Sequence, residues 1–391
     1  MREKFFSLIK QFEMQKIIKK TTSSISYLFL LSMLLFNTGC QKDLRNMNAE
    51  QQLPNGLANN SKVPQLLKDF TQVNLVGNND EYNPARVDPL LVNGWGLAFS
   101  PTGIAWISAE GTGVSTVYNS EGSQVLPAVS IPSPGGATGG HPTGVVFNGT
   151  TDFKLPNGNP ARFIFDGVDG VISGWNGGPA AIKVVDNSST SAYTGLAIAK
   201  DGVNNFLYAA NFRAGKIDVF DKDWVEVNTK PFMDPSLPAG YAPFNIQTVG
   251  QQLYVTYAKV DPAEGEEEKG PGLGYVDIYN TDGSFVKRFV SNGQLNAPWG
   301  IAWAPAGFFG TDERAQPAIL IGNFGDGHIN AYSQDGNFLG QLRAHGNPIV
   351  IEGLWAISFP PATATSINPN RLYFAAGPDD EEDGLFGYIV K

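Results

Sequence analysis

The amino-acid sequence predicts an all-β fold, a six-bladed β-propeller of four-stranded blades, on three observations. A short apolar motif recurs six times at spacings of about 48 to 56 residues, the length of a propeller blade. The 391 residues include 45 glycines and 26 prolines but only 16% charged residues, which is typical of many short strands joined by tight turns. A strand-like segment precedes the first repeat and the last repeat lacks a fourth strand, so the two fragments are predicted to complete one blade.

The N-terminal segment predicts export. A lysine-rich stretch at 16–20 precedes an apolar run at 25–36, which is shorter than the roughly 20 residues of a membrane-spanning helix. The run leads to Cys40, which resembles the lipid-modified cysteine of a bacterial lipobox, although Asn37 stands where leucine is usual. Residues 1–39 are therefore predicted to be a signal peptide, with a plain secretory signal cleaved elsewhere as the alternative.

Beyond the signal peptide the sequence divides into two parts. Residues 40–68 are interpreted as lipidated Cys40 and a flexible tether rich in Asn, Gln and Pro, and residues 69–391 as the propeller. The formal net charge of −10, which becomes more negative without the signal peptide, argues against nucleic-acid binding. An acidic surface is repelled by anionic headgroups, so membrane attachment would come from the lipid on Cys40. We expect a monomeric lipoprotein of the bacterial cell envelope, periplasmic or surface-exposed, with secretion as the alternative.

The innermost strand of each blade is predicted from the recurring motif. Each copy follows a turn, and four of the six carry a glycine at the same aligned position. The copies are GWGLAF (94–99), PTGVVF (142–147), YTGLAI (193–198), FNIQTV (244–249), PWGIAW (298–303) and LWAISF (354–359).

The remaining strands follow each inner strand in a fixed order. Second strands such as FLYAAN (206–211) are apolar, and third strands such as KIDVFDKD (216–223) alternate apolar and polar residues, the period of a half-buried strand. Fourth strands such as SFVKRFV and NFLGQLR complete the units. The leading segment FTQVNLV (70–76) is predicted to pair beside LFGYIVK (385–391), which would close the ring and cover its sheet edges.

These repeats resemble the six-bladed propeller superfamily that includes NHL-repeat proteins and gluconolactonase-like metal hydrolases. The segments LVNGWGLAFSPTG, APWGIAWAPAGFFG and GPDDEEDGLFG are more closely similar to a family of exported bacterial propeller proteins of unassigned function, over residues 70–391. The first resemblance implies a divalent cation held by Glu, Asn and Asp at the channel mouth. The second implies fold and export but no catalytic residue.

The residue before each aligned position is predicted to lie at the channel mouth. Of the six, only Asn245 is an oxygen ligand of the gluconolactonase-like kind, and three are tryptophans. The indoles predict either a core plug of the channel or a stacking platform for a small molecule, a glycan or a peptide. The six residues are Trp95, Thr143, Thr194, Asn245, Trp299 and Trp355.

His141, in GGHPTG just before the second inner strand, is a further candidate at this mouth, as a ligand-binding or acid–base group. The alternative is a solvent-facing loop histidine. The sequence has no GxSxG elbow, no P-loop and no closely spaced histidine pair typical of zinc, so it identifies no nucleophile.

The sequence therefore predicts first a binding propeller, and as the alternative a metal-dependent hydrolase or lyase. The candidate ligands for calcium or another divalent ion are Asn245, Asn323, Asp326 and Glu352, all hard oxygen donors. The acidic runs at 264–268 and 379–383 are interpreted as solvated loops, with calcium binding as the minority interpretation.

Overall fold

A computed structural model describes residues 63–391 of the chain. The predicted signal peptide, Cys40 and most of the predicted tether lie outside the described residues. The described part is almost entirely β-structure, with one short α-helix, α1 (Val63–Leu66), and two 3-10 turns (Glu110–Thr112 and Ala306–Phe309). Within residues 63–391, no helix combines the length and the apolarity that a membrane span requires.

Six small sheets follow one another along the chain, which confirms the six-bladed propeller. The first half of the chain forms blades 1 to 3 and contributes two strands to blade 6. The strands of this half are β1 (Thr71–Gly77) and β2 (Arg86–Val87), which join blade 6; β3 (Gly94–Phe99), β4 (Ala105–Ala109), β5 (Val114–Tyr118) and β6 (Gln124–Ser130) in blade 1; β7 (Pro132–Ser133) and β8 (Gly136–Gly139), a separate ribbon; β9 (Pro142–Phe147), β10 (Phe163–Gly167), β11 (Val171–Trp175) and β12 (Ile182–Asp186) in blade 2; and β13 (Tyr193–Asp201), β14 (Asn204–Asn211) and β15 (Lys216–Phe220) in blade 3.

The second half of the chain forms blades 4 to 6 in the same manner. Its strands are β16 (Tyr241–Val249), β17 (Gln252–Val260), β18 (Glu267–Glu268), β19 (Tyr275–Asn280) and β20 (Phe285–Ser291) in blade 4; β21 (Pro298–Ala304), β22 (Ala318–Asn323), β23 (Ile329–Tyr332) and β24 (Phe338–Gln341) in blade 5; β25 (Arg343–Ala344) and β26 (Asn347–Pro348), a second ribbon; and β27 (Leu354–Ser358), β28 (Leu372–Ala376) and β29 (Leu385–Val390) in blade 6.

The ring closes through the N-terminal strand, as the sequence predicts. Strand β1 pairs antiparallel with β29 over its full length, with Thr71 opposite Val390. Beside this pairing, the Asp383 carboxylate accepts hydrogen bonds from Asn78 Nδ2 (2.8 Å) and Tyr82 OH (2.7 Å). Burial on its own would raise the pKa of Asp383, but these bonds and a third from Asn79 lower it below the usual value. The N-terminal segment is thus fixed to the last blade by both a strand ladder and a charged acceptor.

Blade 3 differs from the other blades in having three strands. After β15 the chain makes one isolated bridge, between Phe220 and Glu226, and then leaves the sheet. The segment that follows contains Pro231, Pro235 and Pro238. Proline has no N–H to donate to a strand ladder, so a regular fourth strand does not form there.

The inner strands of neighbouring blades approach each other closely at the aligned glycines. A Cβ placed on Gly96 would lie 2.2 Å from the Thr143 carbonyl oxygen, and one placed on Gly195 would lie 2.2 Å from Asn245 Oδ1. Atoms do not pack at such distances, so any larger residue would push the strands apart. The repeated glycine is therefore explained by blade-to-blade contact around the channel.

The first prediction tests this contact. Gly96→Ala is expected to lower the free energy of unfolding by about 1–3 kcal/mol, because the added methyl meets backbone atoms of blade 2. The matched control is Gly136→Ala in the exposed β8 ribbon, where an added Cβ has no heavy atom within 4 Å. Denaturant unfolding of both variants measures the difference, and equal stabilities would contradict the packing argument.

The second prediction tests closure. Deleting residues 41–65 is expected to leave melting temperature and solubility unchanged, because β1 is retained. Extending the deletion to Val76 exposes the edge of β29 and removes Leu75 and Val76, both buried, at about 1.5–3 kcal/mol for each large apolar side chain. We expect this longer deletion to melt at a lower temperature and to aggregate. Indistinguishable melting curves would refute closure by this strand.

Candidate functional site

The predicted mouth tryptophans meet at the centre of the ring and form an aromatic plug. Trp355 is completely buried and stacks between Trp95 and Phe324, with ring centroids 3.7 Å and 3.8 Å away. Trp299 stands edge-on to Trp355 at 6.0 Å, and its indole N–H donates to the Thr194 carbonyl (2.8 Å). Each tryptophan is the second residue of an inner strand, which is why three blades direct them to one point. Of the two interpretations of these tryptophans, the core plug of the channel describes how their side chains pack.

Thr143 and Asn245, also predicted at the mouth, lie within the wall between blades. The Thr143 hydroxyl is buried within hydrogen-bond distance of Asp166 Oδ1 (2.9 Å) and the Tyr193 carbonyl (2.8 Å). Asn245 Nδ2 donates to the Trp299 carbonyl (2.8 Å), and its Oδ1 accepts from the N–H of the next residue. Both side chains therefore join neighbouring inner strands.

A cavity of about 460 Å³ has this aromatic cluster as its floor. Of the residues predicted at the mouth, Trp95, Thr194 and Trp355 line it. The loops between the second and third strands of several blades form its walls, and these carry most of its charge. The other aromatic residues and the charged residues that line it are Phe212, Phe244, Glu110, Arg213, Glu264, Glu266, Glu267 and Glu381.

Asn93, which the sequence analysis does not single out, connects the plug to the cavity wall. The Trp355 indole N–H donates to Asn93 Oδ1 (2.9 Å), and Asn93 Nδ2 donates to Glu381 Oε2 (2.8 Å) and Glu110 Oε2 (3.1 Å). Asn93 is buried in a left-handed conformation with φ of 47°. The Asn-Gly dipeptide at the start of the first inner strand is the sequence signal for such a turn, but it does not reveal these partners.

His141 lies at the edge of the cavity, paired with one of its wall residues. Its Nδ1 is 2.6 Å from Glu110 Oε1, and its side chain is 54% exposed. The hydrogen bond with Glu110 raises the pKa of His141 above its usual value, against the opposing effect of burial. The structure thus places His141 on a solvent-facing loop and also in contact with the cavity wall.

The interpretation of both acidic runs as solvated loops is wrong for three of their residues, the buried Asp383 described above and the glutamates Glu267 and Glu381. Glu264 and Glu266 are exposed, but Glu267 is half-buried because β18 folds back and pairs with β17. Burial raises the pKa of Glu267 to about 7. Glu381 is also half-buried. Burial raises its pKa, aided by the charges of Glu110 and Glu266, despite the hydrogen bond from Asn93 and the nearby charge of Lys269. Strand pairing of so short a segment leaves no periodic signal in the sequence.

The four predicted metal ligands are not brought together. Asp326 and Glu352 line a second cavity of about 350 Å³ with Lys269, and Asn323 Nδ2 donates to Asp326 Oδ1 (3.1 Å). Asn245 lies instead in the channel wall. Within residues 63–391, no group of three or more His, Cys, Asp or Glu side chains has a metal-binding arrangement. Metal binding stays a prediction.

Fold and cavity together define a six-bladed β-propeller with an aromatic channel plug and an acidic cavity at one channel mouth. No protein-family model matches the sequence. The chain is 33% identical to uncharacterized protein L690 of Acanthamoeba polyphaga mimivirus over 363 residues, covering 86% of this chain and 92% of L690. It is also 33% identical to uncharacterized protein R648 of the same virus over 337 residues, covering 82% of this chain and 80% of R648. The chain therefore belongs to the family of L690 and R648. Both relatives are viral, so the resemblance to a bacterial family stays a prediction.

Two solved structures share a broad likeness with the chain. A streptogramin B lyase structure has a TM-score of 0.46 and 12% identity, covering 82% of this chain and 96% of the lyase. Virginiamycin B lyase from Staphylococcus aureus has a TM-score of 0.47 and 10% identity, covering 83% of this chain and 99% of the lyase. At these scores the likeness carries no conclusion about activity.

The third prediction concerns the His141–Glu110 pair. NMR titration of the His141 imidazole is expected to give a pKa above about 6.5, and Glu110→Gln is expected to lower it. A raised histidine pKa means that the pair stabilises the folded chain at pH values below about 6.5 and that this contribution disappears as the pH rises through the raised pKa. Glu313→Gln, at an exposed position, is the control. An unchanged His141 pKa in Glu110→Gln would show that the contact does not form in solution.

Proposed function

We propose that the protein is a binding propeller that takes a small molecule, a glycan or a peptide into the cavity over the aromatic plug. The cavity itself carries this proposal, because a concave site of about 460 Å³ with an aromatic floor and a few charged wall groups has the composition of ligand sites in general. The buried plug supplies a rigid floor, so ligand binding would require little reorganisation.

We further propose that the protein acts at a cell envelope as a monomer held to the membrane by a lipid on Cys40. The sequence before residue 63 supports this part: a basic segment, an apolar run and a single cysteine follow in the order of a lipoprotein signal. Secretion without the lipid is the alternative. Neither version involves nucleic acid, since the net charge is −10.

A divalent-metal-dependent hydrolase or lyase is the second candidate. The observation that favours it is the neighbouring cavity, whose lining includes two of the predicted ligands, Asp326 and Glu352, together with Asp380 and Glu381, all carboxylates of the type that calcium prefers. These carboxylates are not grouped in a metal-binding arrangement in the described chain. Lys269 lines the same cavity and would compete with a cation there.

The fourth prediction tests cavity binding. Ala192 lines the cavity, and Ala192→Trp is expected to fill it and to weaken binding of any cavity ligand by about tenfold or more. Wild-type protein and variant are screened by affinity-selection mass spectrometry against glycans, peptides and metabolites. The control Ala362→Trp places the same side chain at an exposed position that does not line the cavity.

Wild-type ligands that bind Ala192→Trp with unchanged affinity would contradict the proposal. Elemental analysis of the same purified protein separates the two candidates, since one tightly held divalent ion per chain would favour the metal enzyme and its absence the binding propeller.

A further inference from the structure

Acidic residues far outnumber basic residues in the lining of the cavity. Five glutamates line it against one arginine. That arginine, Arg213, is exposed and directs its Nη1 to the Ser191 carbonyl (3.2 Å) rather than to a carboxylate. Within residues 63–391, no lysine or arginine lies within 4.0 Å of the Glu110, Glu267 or Glu381 carboxylates. His141 pairs with Glu110, and Lys269 acts on Glu267 and Glu381 from beyond 4.0 Å, so the described chain compensates the negative charge of the cavity only in part.

In blades 3 and 4 the same fold pairs three buried carboxylates with basic side chains, whereas the buried Asp166 in blade 2 is held by the Thr143 hydroxyl and the Gly144 N–H. Arg288 pairs with both Asp277 and Asp234, whose side chains are almost fully buried. Lys216 Nζ lies 2.6 Å from the buried Asp218. Burial of a carboxylate without a partner is costly, so unpaired and half-buried glutamates grouped around one cavity indicate a site where the missing charge comes from outside.

The aromatic floor favours the same kind of charge. Trp95, Phe212, Phe244 and Trp355 all line the cavity, and the Trp95 and Trp355 rings are stacked on each other. The faces of aromatic rings carry partial negative charge and attract ammonium and guanidinium groups, most strongly for tryptophan. The chain already contains one such contact, since the ammonium group of the exposed Lys269 lies 4.2 Å from the centre of the Phe324 ring.

The Trp95 indole N–H indicates that the ligand also carries a hydrogen-bond acceptor. Trp95 lines the cavity and is 6% exposed, yet its N–H has no hydrogen-bond acceptor among the described residues. A buried donor without a partner is unfavourable. A ligand with an oxygen acceptor that reaches this N–H would satisfy the donor.

We propose that the cavity binds an organic ammonium group, seated on the Trp95 and Phe244 rings and faced by the carboxylates of Glu267 and Glu381. This inference rests on the proposed binding function and specifies its ligand class. A bare metal ion would leave the aromatic floor unused, and a neutral sugar would leave the glutamates unpaired. An ammonium group uses both.

The fifth prediction compares ligands that differ only in charge. Choline is compared with 3,3-dimethylbutan-1-ol, its uncharged isostere, and a capped Gly-Lys-Gly peptide with capped Gly-norleucine-Gly, by isothermal titration calorimetry to millimolar concentration. At least one cation is expected to bind about tenfold or more tightly than its neutral counterpart. Choline binding would identify a small-molecule ammonium as the source, and lysine-peptide binding would identify a protein side chain.

The double variant Glu267→Gln, Glu381→Gln is expected to lose this preference while keeping the fold, since it removes crowded charge and retains oxygen acceptors for Asn93. Its melting temperature is expected at or above that of the wild type. Glu313→Gln, exposed and outside the cavity, should bind the cation as the wild type does.

Equal affinities for cation and isostere, no binding of either cation, or an unaffected double variant would each overturn the inference. The proposed function is judged separately by Ala192→Trp. If a neutral ligand binds the wild type and is blocked in Ala192→Trp, the cavity is a binding site and only the ammonium assignment is wrong. If no ligand is blocked, the binding function itself is wrong.

Discussion

Backbone contact between adjacent inner strands is the constraint on which the rest of this propeller depends. Gly96 lies against the Thr143 carbonyl, and a Cβ on Gly300 would lie 2.7 Å from the Trp355 carbonyl. Because no side chain separates the strands at these positions, the inner strands lie close to one another around the channel axis. The tryptophans at the second position of three inner strands are then brought together at the centre, where Trp355 is enclosed by Trp95 and Phe324. The plug is thus a consequence of how closely the blades pack.

The plug in turn fixes the chemistry of the cavity wall. A fully buried indole needs an acceptor for its N–H, and for Trp355 that acceptor is Asn93 Oδ1. Once the Asn93 oxygen is engaged in this way, its amide nitrogen faces outward and donates to Glu110 and Glu381. A packing requirement at the channel centre therefore positions two carboxylates at the mouth. Glu110 extends the chain of contacts to His141, so one continuous network runs from the core to the solvent.

The parts of this structure that repeat from blade to blade can be predicted from the sequence, and the loop conformations that occur only once cannot. Blade number, inner strands and closure by β1 are predictable because each depends on a pattern that recurs or on one left incomplete. The meeting of Trp95 and Trp355 is predictable for the same reason, since both occupy one aligned position. The roles of Asn93, Glu267 and Glu381 are not predictable, because each depends on a single loop conformation with no copy elsewhere. Glu267 is the clearest case: an acidic run normally indicates a solvated loop, but pairing of β18 with β17 holds this residue half-buried.

Blade 4 shows why the unpaired glutamates bear on function rather than on folding. There Arg288 serves two buried aspartates at once, so the fold is able to compensate buried charge with a basic side chain. At the cavity, burial and mutual repulsion leave Glu267 with a pKa raised to about 7 and Glu381 with a raised pKa, and neither has a basic partner within 4.0 Å in the described chain. Groups in this condition reduce the stability of the folded chain, and such unfavourable arrangements are concentrated at sites that bind or react. A ligand that brings the opposite charge would recover that stability on binding, which couples occupancy of the cavity to the stability of the folded chain.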